Sequence, residues 1–315
     1  MKIFIIGGAG YIGSHMVKVA HNAGHEVITI DNLSTGYKDA VLYGQFEFCD
    51  ILDATRLNEI FAKYKPDAVM HFSAYSIVSE SVKNPYKYYH NNVSGTLSLL
   101  SSMVKNNCNK FIFSSSAAIF GNPEYLPIDE KHVKAPINPY GKSKLMVEEI
   151  LKDFDVAYGL KYVSFRYFNA AGHDPDGCLK ERHDPETHLL PIVMQAANNQ
   201  RDSVSIFGTD YETTDGTCIR DYIHVNDIAS AHLKGLEYLN DNVRSIELNL
   251  GSGNGFSVKE VVQEVENATG KKIKIIYEDR RLGDPSTLVA NGDTAKDILQ
   301  LNNKYCSLRD IIKTL

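Results

Sequence analysis

The chain has 315 residues, of which 43% are hydrophobic and 23% charged, a composition typical of a folded globular protein rather than a disordered or fibrous one. Lys and Arg total 33 against 39 Asp and Glu, which gives a formal net charge of −6. This balance argues against a nucleic-acid partner, because nucleic-acid binding usually requires a basic excess. A small anionic ligand is still compatible, since it needs only one or two well-placed cations.

The five cysteines are scattered along the chain and form no Cys-x-x-Cys pair. This pattern predicts neither a disulfide framework nor a metal site, and it is typical of a reducing compartment. No apolar run approaches the roughly 18 residues of a membrane span, and the apolar run at residues 3–6 is too short for a signal peptide. We therefore expect a cytoplasmic protein without a membrane partner.

Residues 1–168 predict a doubly wound α/β sheet, because short apolar strands alternate with helices. Strands that are apolar throughout are buried on both faces, which is typical of parallel pairing beneath covering helices. The predicted strands are Lys2–Ile6, Glu26–Ile30, Phe46–Cys49, Ala68–Phe72, Lys110–Ser114 and Tyr162–Phe165. The predicted helices are Tyr11–Ala23, Leu57–Tyr64, Pro85–Asn107 and Pro139–Tyr158.

Residues 169–315 predict a smaller α/β domain that binds the substrate. A polar segment over 174–187, rich in Asp, Pro, Gly and His, predicts a long loop, and long loops in compact domains are often functional. Shorter elements follow it. The predicted helices are Leu189–Asn199, Asn226–Leu239 and Val258–Thr269, and the predicted strands are Ser203–Phe207, Tyr222–Val225, Ile246–Leu250 and Ile273–Tyr277.

A glycine-rich turn joins the first predicted strand to the first helix. Gly7, Gly10 and Gly13 form a G-x-x-G-x-x-G pattern, which allows a pyrophosphate close to the backbone and to the amides of the helix N-terminus. A plain βα turn is the alternative. Asp31 ends the second strand, where an acid accepts hydrogen bonds from a ribose diol and disfavours a 2′-phosphate. The sequence therefore predicts a Rossmann domain that binds NAD rather than NADP.

Tyr140 and Lys144 lie one turn apart at the start of a predicted helix, so they share one face. Such a pair is common by chance, but the serine run 114–116 ends the preceding strand and can place a hydroxyl beside the tyrosine. A phenol titrates near 10, and a neighbouring ammonium group favours the phenolate. We therefore predict Tyr140 as a base assisted by Lys144 and Ser116. A polar strand end is the alternative for the serines.

The chain resembles the extended short-chain dehydrogenase/reductase family, and within it the UDP-sugar epimerases, over essentially its whole length. The stretches that carry the resemblance occur in order along the chain. They are GGAGYIGSH (7–15), DNLS (31–34), HFSAYS (71–76), YYHNNVSGT (88–96), FSSSAAIFG (113–121), PYGKSK (139–144), RYFNAAG (166–172), TCIRDYIHV (217–225) and RRLGDPSTL (280–288).

The resemblance implies an enzyme that interconverts UDP-glucose and UDP-galactose. Tyr140 would take the proton of the sugar 4-hydroxyl as the C4 hydride passes to tightly held NAD and later returns to the other face. A UDP-pentose or UDP-uronate epimerase is the alternative, and a non-catalytic NAD-sensing relative is another. Sugar dehydratases of the family carry an acidic pair after the strand-end Ser or Thr, whereas Ala117 and Ala118 follow Ser116 here.

The resemblance also implies the residues of each site. Asp50 and Ile51 are expected to flank the adenine, with an ordinary helix cap as the alternative. The full set of predicted NAD contacts is Gly7, Gly10, Tyr11, Ile12, Gly13, Asp31, Asn32, Asp50, Ile51, Phe72, Ser76, Asn91, Ser116, Tyr140, Lys144 and Phe168. The predicted UDP-sugar contacts are Ser116, Tyr140, Asn169, His188, Leu189, Ser205, Ile206, Phe207, Arg220, Arg281, Asp284 and Leu288.

A few positions depart from the family pattern. Ser76 stands in place of a lysine, Ala118 in place of a hydroxyl residue and His188 in place of an asparagine. Leu288 replaces a bulky tyrosine, which predicts room for a 2-acetamido group and turnover of UDP-GlcNAc and UDP-GalNAc. The helices predicted at 85–107 and 139–158 resemble the pair that forms a dimer interface in the family, so we also expect a homodimer.

Overall fold

The fold was obtained as a computed structural model that describes residues 1–242, 244–281 and 284–315. The strands are β1 (Lys2–Ile6), β2 (Glu26–Asp31), β3 (Gln45–Phe48), β4 (Ala68–His71), β5 (Lys110–Ser116), β6 (Lys161–Tyr167), β7 (Asn169–Ala171), β8 (Val204–Phe207), β9 (Ile219–His224), β10 (Ile246–Leu250), β11 (Gly255–Ser257), β12 (Ile275–Glu278) and β13 (Thr287–Leu288). The helices are α1 (Tyr11–Asn22), α2 (Ala54–Tyr64), α3 (Val78–Lys83), α4 (Pro85–Tyr88), α5 (Thr96–Lys105), α6 (Pro139–Tyr158), α7 (Leu189–Ala197), α8 (Val225–Asp241), α9 (Val258–Thr269), α10 (Asp293–Leu299) and α11 (Leu308–Ile312).

Within the described residues, seven strands form the larger sheet in the order β10-β6-β5-β4-β1-β2-β3. All of its neighbouring strands are parallel, so their carboxyl ends meet at one edge. The strand order reverses between β1 and β4, and a crevice at such a point is where doubly wound sheets bind nucleotides. The predicted doubly wound parallel sheet is confirmed.

The apolar strands explain why helices cover both faces of this sheet. Successive residues of β1 point to opposite faces, so Ile3 and Ile5 pack with α1 and α8, while Phe4 and Ile6 pack with α2, α5 and α6. All four side chains are fully buried. The sheet is therefore fixed from both sides, which holds its carboxyl edge in a defined geometry.

The smaller layer is built around β9, which pairs with β7, β11 and β13, while β8 pairs with β12. Helices α7, α9 and α11 supply its apolar core. The chain returns from this layer to the larger sheet, because α8 packs on α1 and β10 pairs with β6. The larger sheet thus contains strands from both sides of the predicted boundary at residue 168. Among the described residues, no helix is both long and apolar enough to cross a membrane.

The long helix predicted over 85–107 is interrupted. A π-helical segment, Tyr89–Gly95, separates α4 from α5, and π-helical turns are frequent at functional sites. Asn92 in this segment accepts a hydrogen bond from the Tyr75 amide (3.0 Å) and donates to Ser143 Oγ (3.1 Å). The interruption therefore ties the loop after β4 to α6, a long-range contact that local periodicity does not predict.

Several strands begin or end two or more residues away from their predicted positions. β5 extends to Ser116, β6 extends to Tyr167, β9 begins at Ile219 and β12 begins at Ile275. The buried Asp221 carboxylate accepts hydrogen bonds from three backbone amides, which offsets the cost of burying it.

Candidate active site

The glycine-rich turn between β1 and α1 fits a pyrophosphate. Gly7 has a φ of +77°, and a Cβ there would lie 2.6 Å from the Ser73 amide nitrogen. A Cβ on Gly13 would lie 2.2 Å from the Gly7 carbonyl oxygen, so both positions require glycine. Gly10 is the N-cap of α1, and a glycine has no side chain to accept hydrogen bonds from the first amides of the helix. Those amides, with Tyr11 and Ile12 among them, can therefore bind phosphate oxygens.

Asp31 at the end of β2 supports this turn. Its carboxylate accepts hydrogen bonds from the amides of Ala9 (3.0 Å) and Leu33 (2.8 Å). Burial raises the pKa of Asp31, and the backbone hydrogen bonds act in the opposite direction. Each carboxylate oxygen has a further lone pair, so the group can still accept from a ribose hydroxyl. Beside it, Asn32 donates to Asp50 Oδ2 at 2.7 Å, which brings two more predicted contacts together.

The remaining predicted NAD contacts lie along the carboxyl edge of the sheet. Ile51 is buried against Gly95 of the π-helical segment, which also carries Asn91. Phe72 directly follows β4, and Phe168 directly follows β6. Ser76 is exposed in the loop after β4.

The catalytic residues predicted from sequence come together beside this edge. Ser116 is the last residue of β5, and Tyr140 and Lys144 lie on the first turns of α6, which Asn138 caps by accepting from the Gly141 amide (2.9 Å). Lys144 Nζ donates to the Ser114 carbonyl at 2.7 Å and lies 5.9 Å from the centroid of the Tyr140 ring. The arrangement places a phenol, an ammonium group and a hydroxyl around one point.

Burial dominates the electrostatics of this group. Burial raises the pKa of Tyr140, although a hydrogen bond with Ser116 opposes the shift. Burial also lowers the pKa of Lys144 to about 7, against the opposing effect of Glu148. Desolvation disfavours both charged forms, while Nζ is held by a carbonyl rather than by the phenol oxygen. Lowering of the tyrosine pKa by Lys144 together with the positively charged nicotinamide of NAD stays a prediction.

A cavity of about 300 Å³ lies between the smaller layer and the loop that precedes α7. Arg220 and Arg281 reach it from different segments. Arg220 Nη2 lies 3.5 Å from Asp284 Oδ1, and the Arg281 guanidinium stacks 3.7 Å from the centroid of the Phe207 ring. Planar guanidinium groups suit the bidentate binding of phosphate oxygens. The predicted residues that line the cavity are Asn169, His188, Leu189, Ser205, Phe207, Arg220, Arg281 and Asp284.

Other predicted substrate contacts lie elsewhere. Strand alternation turns the Ile206 side chain into the core, where it is fully buried, so it cannot reach the cavity. Leu288 pairs with Arg220 across β13 and β9 and packs beside the apolar cluster of Ala117 and Phe120. Leu288 thus lies on the side of Ser116 and Tyr140. Residues 282 and 283 of the RRLGDPSTL stretch are outside the described residues.

His188 has an environment that its predicted substrate role does not explain. Its Nδ1 lies 2.9 Å from Glu181 Oε1 and 3.0 Å from Glu186 Oε1. Glu181, His183 and Glu186 were not predicted as site residues. The available signal was the pattern E-x-H-x-x-E-x-H over 181–188, which contains no cysteine.

A buried ion pair beyond Lys144 was not predicted from the sequence. Arg166 on β6 donates to Glu148 on α6 through Nε (3.0 Å) and Nη2 (2.8 Å). Glu148 follows Lys144 by one helical turn, and that spacing was the available signal. Arg201 and Tyr222, which line the cavity, carried no comparable signal.

Comparison with known proteins agrees with this arrangement. Residues 3–251 match the model of the NAD dependent epimerase/dehydratase family. The chain is 48% identical over 313 residues to a UDP-glucose 4-epimerase of Halalkalibacterium halodurans, covering 99% of this chain and 94% of that protein.

Solved structures are similar over the same length. A UDP-glucose 4-epimerase from Brucella ovis in complex with NAD superposes with a TM-score of 0.96 at 48% identity, covering 99% of this chain and 96% of that one. The UDP-Glc/GlcNAc 4-epimerase from Campylobacter jejuni superposes with a TM-score of 0.87 at 43% identity, covering 99% and 97%.

Proposed function

The chain belongs to the NAD-dependent epimerase/dehydratase family, and from that premise we propose that it is a UDP-glucose 4-epimerase that interconverts UDP-glucose and UDP-galactose. The observation that carries the proposal is the convergence of Ser116, Tyr140 and Lys144 at the carboxyl edge of the sheet, beside the glycine-rich turn. The Arg-lined cavity supports a nucleoside diphosphate sugar as the substrate. A division of labour follows, with NAD on residues 1–168 and the UDP-sugar on 169–315.

The protein groups carry the proton chemistry. When bound, NAD supplies the hydride acceptor for C4 of the sugar and returns the hydride to the opposite face. Tyr140 takes the proton of the 4-hydroxyl and later gives it back, with the Ser116 hydroxyl within reach of the same oxygen. Lys144 lies beside the ring, and with its pKa lowered to about 7 its amine is partly protonated at neutral pH. Because hydride and proton both return, no net redox change occurs and the cofactor need not leave.

The residues of the second half orient the sugar nucleotide. Arg220 and Arg281 are proposed to bind the diphosphate, with Asn169 at the sugar end of the cavity and Asp284 near the ribose. Holding the diphosphate at one end leaves the hexose free to turn over at the other, which presents each face of C4 in turn to the same cofactor. Rotation of the hexose therefore fits the proposed arrangement, with the diphosphate contacts on the smaller layer and the proton-transfer residues on the larger sheet.

The test is substrate profiling with purified protein. Incubation with UDP-galactose should yield UDP-glucose, while the denatured protein should release NAD. Conversion of a UDP-pentose or UDP-uronate without conversion of UDP-galactose would favour the alternative epimerases. A protein that binds NAD but converts no UDP-sugar would contradict the catalytic proposal.

Turnover of the N-acetylated pair is a second proposal, and Leu288 is the observation that favours it. Leu288 packs beside the cluster that follows Ser116, on the catalytic side of the sugar site. A leucine is smaller than a tyrosine and has no hydroxyl, so it leaves space at this position for an acetamido group. Absence of any UDP-GalNAc turnover by the wild type would contradict this proposal.

A homodimer is also proposed. Helix α6 packs against α3, α4 and the π-helical segment, and this helical layer exposes large apolar side chains. These are Val82 (58% exposed), Tyr86 (73%) and Met146 (45%), together with Leu97 (39%) on α5, which adjoins the π-helical segment. Exposed apolar clusters of this kind are typical of protein interfaces. Light scattering coupled to size exclusion should give twice the chain mass, and Tyr86→Asp with Met146→Asp should give a monomer; a monomeric wild type would contradict the proposal.

A further inference from the structure

Four potential metal ligands converge at the end of the long loop that precedes α7. Glu181, His183, Glu186 and His188 each contribute one ligand atom, and these atoms all lie within 4.8 Å of one another. They come from eight consecutive residues, so the loop wraps around a single point. The proton-transfer residues described above lie elsewhere, on β5 and α6.

The spacing of the ligand atoms matches a small coordination sphere. His183 Nδ1 lies 3.2 Å from Glu181 Oε1 and 3.6 Å from Glu186 Oε2. His188 Nδ1 lies 2.9 Å and 3.0 Å from an oxygen of the same two carboxylates. Tetrahedral ligands at about 2.0–2.1 Å from a zinc ion are separated by about 3.4 Å. The observed separations fall on both sides of that value.

The burial of Glu181 is a second observation that indicates a bound cation. Its side chain is 1% exposed, and within the described residues the groups that face its oxygens are the Nδ1 atoms of His183 and His188. A buried carboxylate is costly without a counter-charge, and a cation bound between these four side chains would supply one. Glu186 differs, because its Oε1 accepts from the amides of Thr187 and His188 at 2.8 Å.

We propose that Glu181, His183, Glu186 and His188 bind one divalent transition-metal ion, for which zinc is the best match. Two carboxylates balance the charge of the ion, and two neutral imidazoles complete a four-ligand set. Imidazole nitrogen favours zinc over magnesium, which prefers oxygen ligands and water. Four protein ligands leave no open position, so the ion would be structural rather than catalytic.

The surroundings indicate what such an ion would hold in place. Between the ligands, Arg182 points away and donates to both Asp39 oxygens (2.9 and 2.7 Å), while its guanidinium lies 4.2 Å from the Tyr37 ring centroid. His183 packs edge-on against Tyr11 of the glycine-rich turn. His188 is the N-cap of α7 and lines the sugar cavity. The ion would thus link the cofactor turn to the substrate cavity.

The test measures metal content, which is independent of epimerase activity. Untagged protein is dialysed against excess Zn²⁺, then against metal-free buffer, and analysed by elemental mass spectrometry. We expect about one zinc per chain in the wild type and in His90→Gln, a control at an exposed histidine on the π-helical segment. Glu181→Gln and His183→Gln should bind zinc at least about tenfold more weakly. Co²⁺ should give the visible bands of a tetrahedral site in the wild type and in His90→Gln but not in the two ligand variants.

Zinc should also protect residues 174–188 from proteolysis and hydrogen exchange in the wild type but not in Glu181→Gln. Equal zinc retention by the wild type and both ligand variants would overturn the proposal, because the ion would then bind elsewhere. Retention of no zinc by the wild type would also overturn it and would leave the cluster as ion pairs between protonated histidines and carboxylates. Mg²⁺ at millimolar concentration should not displace zinc, and displacement would contradict the assignment of the ion.

Discussion

Arg166 and Glu148 form a fully buried, bidentate ion pair one helical turn beyond Lys144, the lysine proposed to act in catalysis. Both side chains have no solvent exposure. The same carboxylate accepts hydrogen bonds from Ser115 (2.7 Å) and Ser164 (3.2 Å), so it joins β5, β6 and α6. The position of α6, and therefore of Tyr140 and Lys144, depends on this pair.

Replacing Glu148 with Gln should destabilise the protein by about 3–5 kcal/mol, because the buried Arg166 guanidinium loses its bidentate partner and keeps only the more distant Glu247 carboxylate, 3.7 Å from Nη2. The measurement is the free energy of unfolding in urea. Glu149→Gln is the matched control, since Glu149 is 58% exposed on the same helix and pairs only with Lys152. Surface pairs of that kind contribute about 0–1 kcal/mol, so equal losses in the two variants would contradict the prediction.

Replacing Tyr140 with Phe should lower kcat by about 10²–10⁴-fold, because it removes the group that exchanges the proton of the 4-hydroxyl. NAD should remain bound, since the glycine-rich turn and Asp31 are unchanged. Turnover of UDP-galactose and the amount of NAD released on denaturation are the two measurements. Tyr158→Phe at the exposed end of α6 serves as the control. Activity in Tyr140→Phe equal to that of the control would refute the mechanism.

The pH dependence of stability should report the burial of Lys144. The pKa of Lys144 is lowered to about 7 by burial, whereas an unfolded lysine titrates near 10.4. Between these values the unfolded chain binds more protons, so this group makes stability rise with pH, by up to about 1.4 kcal/mol per unit. The measurement is the free energy of unfolding of the wild type and of Lys144→Met at pH 7 and pH 9, at equal NAD occupancy. It should be larger at pH 9 than at pH 7 in the wild type, and the variant should lack this increase. An equal change in the free energy of unfolding with pH in the two proteins would contradict this prediction.

Replacing Leu288 with Tyr should suppress turnover of UDP-GalNAc by at least about tenfold and spare UDP-galactose, because the larger ring fills the space for the acetamido group. Rates for both substrates give the specificity ratio. Leu288→Ile, which keeps the volume, should leave that ratio near the wild-type value. An unchanged ratio in Leu288→Tyr would mean that another residue limits the pocket.

Secondary-structure elements with a local sequence signal, such as an apolar run or a helix cap, could be predicted from the sequence. The apolar strand at Lys2–Ile6, the glycine turn that follows and the helix that begins at Pro139 all agree with the structure, since each has a pattern or cap of its own. The π-helical segment at 89–95 could not be predicted in this way. It is stabilised by hydrogen bonds that Asn92 accepts from the Tyr75 amide and donates to Ser143 Oγ. These residues are distant in sequence, so the contacts produce no periodic pattern in the sequence.

The site residues also divide into those predicted by a local motif and those whose position depends on tertiary contacts. Asp31 and Lys144 were assigned by position within a motif, and the structure places them at the sheet edge. Ile206 was assigned with its neighbours, but strand alternation buries its side chain. Glu148 was missed because its role depends on Arg166, which reaches it only after β6 pairs with β5.

The return of the chain from the smaller layer to the larger sheet has a consequence for biosynthesis. Strand β6 pairs with β10 along Val163–Tyr167, so its outer edge has no partner until residues 246–250 have left the ribosome. An unpaired edge of this length, rich in apolar residues, is a template for pairing with other chains. Fragments that end near residue 168 should therefore aggregate when expressed alone, and nascent chains should need protection until most of the polypeptide has been translated.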